Sequence, residues 1–183
     1  MRHLTDVPKN LEELPAVVSE GVLRAVIEIP AGTVDKRQYD VGTNTFPVDR
    51  RNGVPRRITF LPYPANYGFI PGTRMNKEEG GDGDAVDVFV LCGAVPSGTV
   101  MEVEPIGIIE LLDAGERDDK VIALPMDPAL RTVDADDISE LPESARDILV
   151  TWLLNYDPVD GAKLVAVKGK AAAIATVLRW KVG

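Results

Sequence analysis

The chain has 183 residues, of which 45% are hydrophobic and 27% charged, a balance that excludes a disordered chain and fits one folded domain spanning residues 1–183. Acidic residues outnumber basic ones 29 to 20, for a net charge of −9, which argues against nucleic acid as the main partner because phosphate backbones are held by surplus Lys and Arg. Cys92 is the only cysteine and His3 the only histidine, so an internal disulfide framework, a Ser–His or Cys–His nucleophile and a zinc site of Cys and His are all excluded.

The opening stretch, MRHLTDVPKNLEELP, lacks the basic start and continuous apolar run of a signal peptide. No later segment approaches the roughly 18 apolar residues that span a bilayer. The expectation is a soluble cytoplasmic protein with no membrane partner.

Short runs rich in Val and Ile follow one another through the first two thirds, bounded by Gly, Pro and Asp. They are VLRAVIEI (22–29), a pair about the turn GTN (42–44), RRITFL (56–61), AVDVFVLC (85–92), TVMEV (99–103), GIIELL (107–112) and KVIAL (120–124). Their length and β-branched content predict strands, and their spacing an antiparallel sheet or barrel more than alternating βα units. Over 142–156, Ala145, Ile148, Leu149, Trp152, Leu153 and Tyr156 fall on one helical face, with Pro142 suited to the first turn. A strand at 163–168 and a closing helix at 170–181 complete the reading. The predicted class is α+β, mainly β: a small barrel with extra hairpins and two packed helices.

Candidate chemistry is carried by carboxylates. GGDGDAVDV sets Asp82, Asp84 and Asp87 within six residues, where they repel one another unless a cation sits between them. The glycines at 80, 81 and 83 let the backbone turn so that the carboxylates converge. Spacing alone leaves open a solvated acidic turn. An EF-hand is excluded, because Val86, Asp87 and Gly93 stand where Asp or Asn, glycine and Glu are required. A nucleophilic aspartate at the end of a buried strand is excluded by EEGG, which precedes the cluster. A second acidic group, Asp113, Asp118 and Asp119 with Lys120, reads by itself as a hairpin loop or a site. Glu28 sits within the apolar run AVIEIP, where burial without a partner is unfavourable and the solvent side of the strand is the alternative. With no Cys or His ligand, hard cations such as Mg²⁺ or Mn²⁺ suit the donors, and they would reconcile the acidic chain with an anionic substrate.

Taken together, VIEIPAG (26–32), VDR (48–50), YPANYGFIPGT (63–73), GDGDAVDV (81–88), PIGIIELLDAGERDDKVIALP (105–125) and LNY (154–156) resemble the family I soluble inorganic pyrophosphatases, in order and over nearly the whole chain. The resemblance implies a five-stranded, OB-like barrel, Mg²⁺-dependent hydrolysis of pyrophosphate and a homo-oligomer, commonly a hexamer. It implies that Glu28, Asp82, Asp84, Asp87, Asp113 and Asp118 hold metal ions, with Asp84 and Asp87 at the catalytic water. Lys36, Arg50, Lys120, Tyr67 and Tyr156 would hold phosphate oxygens, and Tyr63 would line the site.

Two positions depart from the family pattern. Gln38 stands where K-x-E has glutamate, and Asp157 where a phosphate-binding lysine is usual: either Lys163 or another base compensates, or the loop YDPVDGAK lies differently, or substrate binding is weaker. Extra length lies between Arg50 and Tyr63 and at MNKEEGG (75–81), and Arg51, Arg56 and Arg57 compete with Arg50 for its assignment. Another phosphoanhydride as substrate, a nucleotide or polyphosphate, and a metal-binding scaffold with a decayed site are the alternatives.

Overall fold

The computed structural model of the chain describes residues 10–157 and 161–183; His3 lies outside the described residues. Among the described residues ten strands and two α-helices follow one another. The strands are β1 (Val17–Ser19), β2 (Val22–Ile29), β3 (Arg50–Arg51), β4 (Val54–Pro55), β5 (Asn66–Phe69), β6 (Asp87–Val90), β7 (Val100–Asp113), β8 (Glu116–Arg117), β9 (Lys120–Pro125) and β10 (Lys163–Gly169). The helices are α1 (Glu143–Asn155), between β9 and β10, and α2 (Lys170–Trp180) at the end.

The order β2-β5-β6-β9-β7 closes on itself through an antiparallel β2–β7 pairing, which makes the five-stranded barrel. β1 flanks β2, while β8 and β10 extend β7. Alternation of apolar and polar residues is weak in β6 and β9 because both faces of these strands are buried. Val88, Val90, Val121 and Ala123 join one core with Ala173, Val177 and Trp180 of α2. Phe89, Ile122 and Leu124 join a second core with Leu149, Trp152 and Leu153 of α1.

Several expected elements take another form. TVMEV and GIIELL are one continuous strand, β7, which passes through Pro105 at a register shift between Pro105 and Gly107, a bulge being the place where a strand tolerates proline. The pair about GTN is a turn flanked by two isolated bridges, Asp40 to Thr45 and Arg37 to Val48, and RRITFL forms only a bridge from Arg57 to Asp35. β5 was not expected. Its Gly68 lies so close to β2 that a Cβ would stand 1.8 Å from the Val26 carbonyl oxygen, so only glycine fits. The sheet is not wholly antiparallel either: β6 and β9 run parallel, with Asp87 opposite Lys120.

Candidate active site

That parallel pairing builds the site. Asp87 opens β6 and Lys120 opens β9, so two residues 33 apart in sequence meet at the same end of adjacent strands. Asp113 closes β7, and the short β8 turn returns the chain to Asp118. Gly80 and Gly83 adopt left-handed backbone, φ 86° and 93°, and fold the acidic loop back, with the Asp84 N–H donating to Asp82 Oδ1 at 2.9 Å. Asp82, Asp84, Asp87, Asp113 and Asp118 consequently all line one cavity of about 460 Å³, together with Glu28. Asp84 is the exposed one of the five; the other four are half-buried.

Glu28 reaches the cavity through a bulge. The β2–β5 register shifts between Ile27 and Ile29, and both of those flanking isoleucines are buried. Glu28 is itself only 7% exposed and accepts the Tyr39 N–H at 2.7 Å. Burial, helped by Asp87 and opposed by Tyr39 and Lys36, pushes its pKa up to about 8. Burial likewise raises Asp82 to about 6. The Lys120 ammonium lies between Asp87, at 2.5 Å, and Asp118. Burial works against its charge, but the two carboxylates outweigh it and hold the ammonium well above its ordinary pKa. Asp87 is raised by burial, against the pull of Lys120 and with the Asp118 charge adding to the rise.

Facing the acids is a bank of cations and phenols. Lys36 Nζ lies 5.9 Å from the Tyr156 ring centre and Lys120 Nζ 5.8 Å from that of Tyr67. Burial lowers the Lys36 pKa, and Arg56 and Lys120 lower it further. Burial raises Tyr67 well above the ordinary phenol value and Tyr156 to about 12, so both keep their hydroxyl protons as donors at neutral pH. Tyr156 is fixed by stacking on Trp152, with ring centres 4.8 Å apart and planes 8° from parallel. Tyr63 is 2% exposed and packs between Tyr67 and Trp152; it supports the tyrosines that line the cavity and does not line it.

Arg50 is not brought to the cavity. It sits exposed on the β3–β4 hairpin, where its side chain donates to the Gly53 carbonyl at 2.8 Å. Neighbouring strand residues face opposite ways, so Arg51 turns inward in its place, and the hairpin delivers Arg56 beside it. The turn is Asn52-Gly53, with both residues left-handed at φ 53° and 79°. Asn-Gly is a strong hairpin signal, and it shows that the extra length after VDR is a hairpin that returns a later arginine to the site. Gln38 lines the cavity. Lys163 lies on β10 opposite Leu112 and does not reach it, so it does not offset Asp157; Arg51 and Arg56 do, at 3.3 and 2.7 Å.

The acidic donors are all oxygens, with no Cys or His among the cavity's lining residues, which fits a hard divalent cation. They ring the space without clasping a point: among the described residues no three carboxylates form a ready-made ligand cluster.

A ring of carboxylates opposed by lysine, arginine and tyrosine, at the end of a closed barrel, suits a hydrolase of phosphoanhydrides. The family model for inorganic pyrophosphatase matches residues 25–181, and the chain belongs to that family, whose reaction is the splitting of inorganic pyrophosphate and whose dependence on divalent metal is general. It is 34% identical over 163 residues to the inorganic pyrophosphatase of Sulfolobus acidocaldarius, covering 87% of each chain. With that of Saccharolobus solfataricus it shares 38% over 151 residues, covering 80% of this chain and 81% of the other. The crystal structure of the Thermus thermophilus inorganic pyrophosphatase superposes with a TM-score of 0.81 at 27% identity, over 93% of this chain and 96% of that one.

Proposed function

We propose that this cavity is where the chain hydrolyses pyrophosphate with Mg²⁺, Mn²⁺ serving in its place. The observation that carries the reading is the convergence of five aspartates from three separate segments on the same space as Lys36, Lys120 and Arg56. Pyrophosphate repels an incoming nucleophile, so the reaction depends on charge stabilisation and positioning. Divalent ions, when bound, would neutralise the substrate's charge and lower the pKa of a water. Glu28, Asp82, Asp87, Asp113 and Asp118 would hold them.

Asp84 is the proposed general base. It lines the cavity and is exposed, which supports the reading that its carboxylate would accept a proton from the attacking water. Lys36 and Tyr67 grip the phosphoryl group under attack. Tyr156 and Arg56, in the role the family resemblance gave to Arg50, stabilise the departing phosphate. Lys120 holds Asp87 and Asp118 in place and contributes a fixed positive charge. Asp84→Asn is expected to lower Mg²⁺-dependent phosphate release by about a hundredfold or more. Purified chain that releases no phosphate from pyrophosphate with Mg²⁺ present would overturn the assignment.

We propose further that the protein acts in the cytoplasm as a homo-oligomer, with the hexamer expected. Among the described residues no helix is long and apolar enough to cross a membrane. β10 leaves Leu164, Val165 and Val167 exposed, an apolar edge that supports self-association. Light scattering on the purified protein measures the state; a monomer would exclude it.

A further inference from the structure

Asp157 stands next to Tyr156 and sets a negative charge against two arginines of the cavity. Its carboxylate is 15% exposed and accepts from Arg56 Nη2 at 2.7 Å, with Arg51 Nη2 at 3.3 Å. Both arginines line the main cavity. Arg56 is steadied from its other side by Asp49, 3.0 Å from Nη1, and its backbone N–H donates to the Asp49 carbonyl at 2.8 Å. Asp49 therefore holds Arg56 from one side whatever stands at 157, so that a neutral residue of the same shape there changes chiefly the charge that meets the guanidinium. The Tyr156–Trp152 stack fixes the chain just before it. Behind the pair a second cavity of about 360 Å³ is lined by Lys36, Arg51, Arg56, Arg57 and Asp157.

We propose that Asp157 is a built-in competitor for the phosphate that Arg51 and Arg56 receive, an affinity-setting residue acting through the two arginines. The consequence is a loosely held leaving phosphate: a high KM, weak inhibition by product and quick release. This rests on the proposed function for the identity of the anion, but the arginine clamp can be tested by binding alone.

The test is titration of inorganic phosphate, with Mg²⁺ present, into the wild type, Asp157→Asn and Asp157→Glu, followed by pyrophosphate kinetics on each. Asparagine keeps the shape and removes the charge, so phosphate affinity is expected to rise about tenfold, because charge-assisted bonds to arginine are among the strongest available to a phosphate. KM for pyrophosphate falls with it, kcat does not rise, and added salt narrows the difference. Asp157→Glu retains weak binding. A residue with only a packing role would change the melting temperature and leave phosphate affinity alone. If Asp157→Asn proves unstable, Asp157→Ser removes the same charge and is read the same way. Phosphate affinity in the folded variants that is unchanged, or weaker, overturns the proposal. Absence of pyrophosphate hydrolysis by the wild type instead defeats the proposed function, and leaves the clamp to stand or fall on the phosphate titration.

Discussion

Arg56 shows how a single side chain decides the substrate end of the cavity. Two carboxylates, Asp49 and Asp157, hold its guanidinium. Burial works to lower its pKa, yet the two acids prevail and keep it above the ordinary arginine value. Arg50, six residues earlier, donates to a turn carbonyl and faces solvent. Arg56→Ala is expected to raise KM for pyrophosphate about tenfold more than Arg50→Ala does, since a charge-assisted contact contributes roughly 1.5–3 kcal/mol. Steady-state kinetics on the two variants decide between the arginines, and equal effects would return the role to Arg50. The same logic separates the tyrosines. Tyr67 and Tyr156 line the space, while Tyr63 stands behind them.

At the scale of elements, the strands that carry the site were legible where they are long and rich in Val and Ile: β2 and β9 begin at the expected residues, Val22 and Lys120. The acidic loop stood out as three crowded carboxylates among glycines, but its spacing alone left a solvated turn open, and its meeting with Asp113 and Asp118 in one cavity depends on segments distant in sequence. What was hidden follows from pairing between distant segments. Parallel β6–β9 alignment, which sets Lys120 against Asp87, has no local signature. β5 was obscured because its glycine and asparagine read as turn formers. Asn66 in fact has no exposed surface; its Oδ1 accepts from the Ala31 and Val95 N–H groups at 3.1 and 3.0 Å, and its Nδ2 donates to the Gly93 carbonyl at 3.0 Å. It ties two loops, the one after β2 and the one between β6 and β7, to the strand that bears Tyr67. Asn66→Leu leaves those buried groups without partners and is expected to destabilise the fold by about 2–4 kcal/mol. Urea unfolding measures it, and a loss below about 1 kcal/mol would mean that the loops are held elsewhere.

At the scale of the whole molecule, the fold concentrates acid where water is scarce, and this ties stability to pH and metal together. Glu28 at about 8 and Asp82 at about 6 are both raised, chiefly by burial, against unfolded values near 4. Between pH ~4 and ~8 the unfolded chain has released protons that the metal-free folded chain still holds. The metal-free protein therefore loses this part of its stability as pH rises through that window, and retains it below. A divalent cation favours the ionised carboxylates, so its binding expels protons and the stabilisation it confers grows over the same range. Thermal unfolding with excess Mg²⁺ and with chelator should show a gap in melting temperature that is small at pH 5 and wide at pH 8. Glu28→Gln removes the larger of these two titrations and should flatten the metal-free curve above pH 6. Calorimetric titration of Mg²⁺ near pH 6.5 in buffers of different ionisation enthalpy counts the protons released. A melting gap that does not depend on pH, with no proton release, would mean that the buried carboxylates are not the groups that meet the ion.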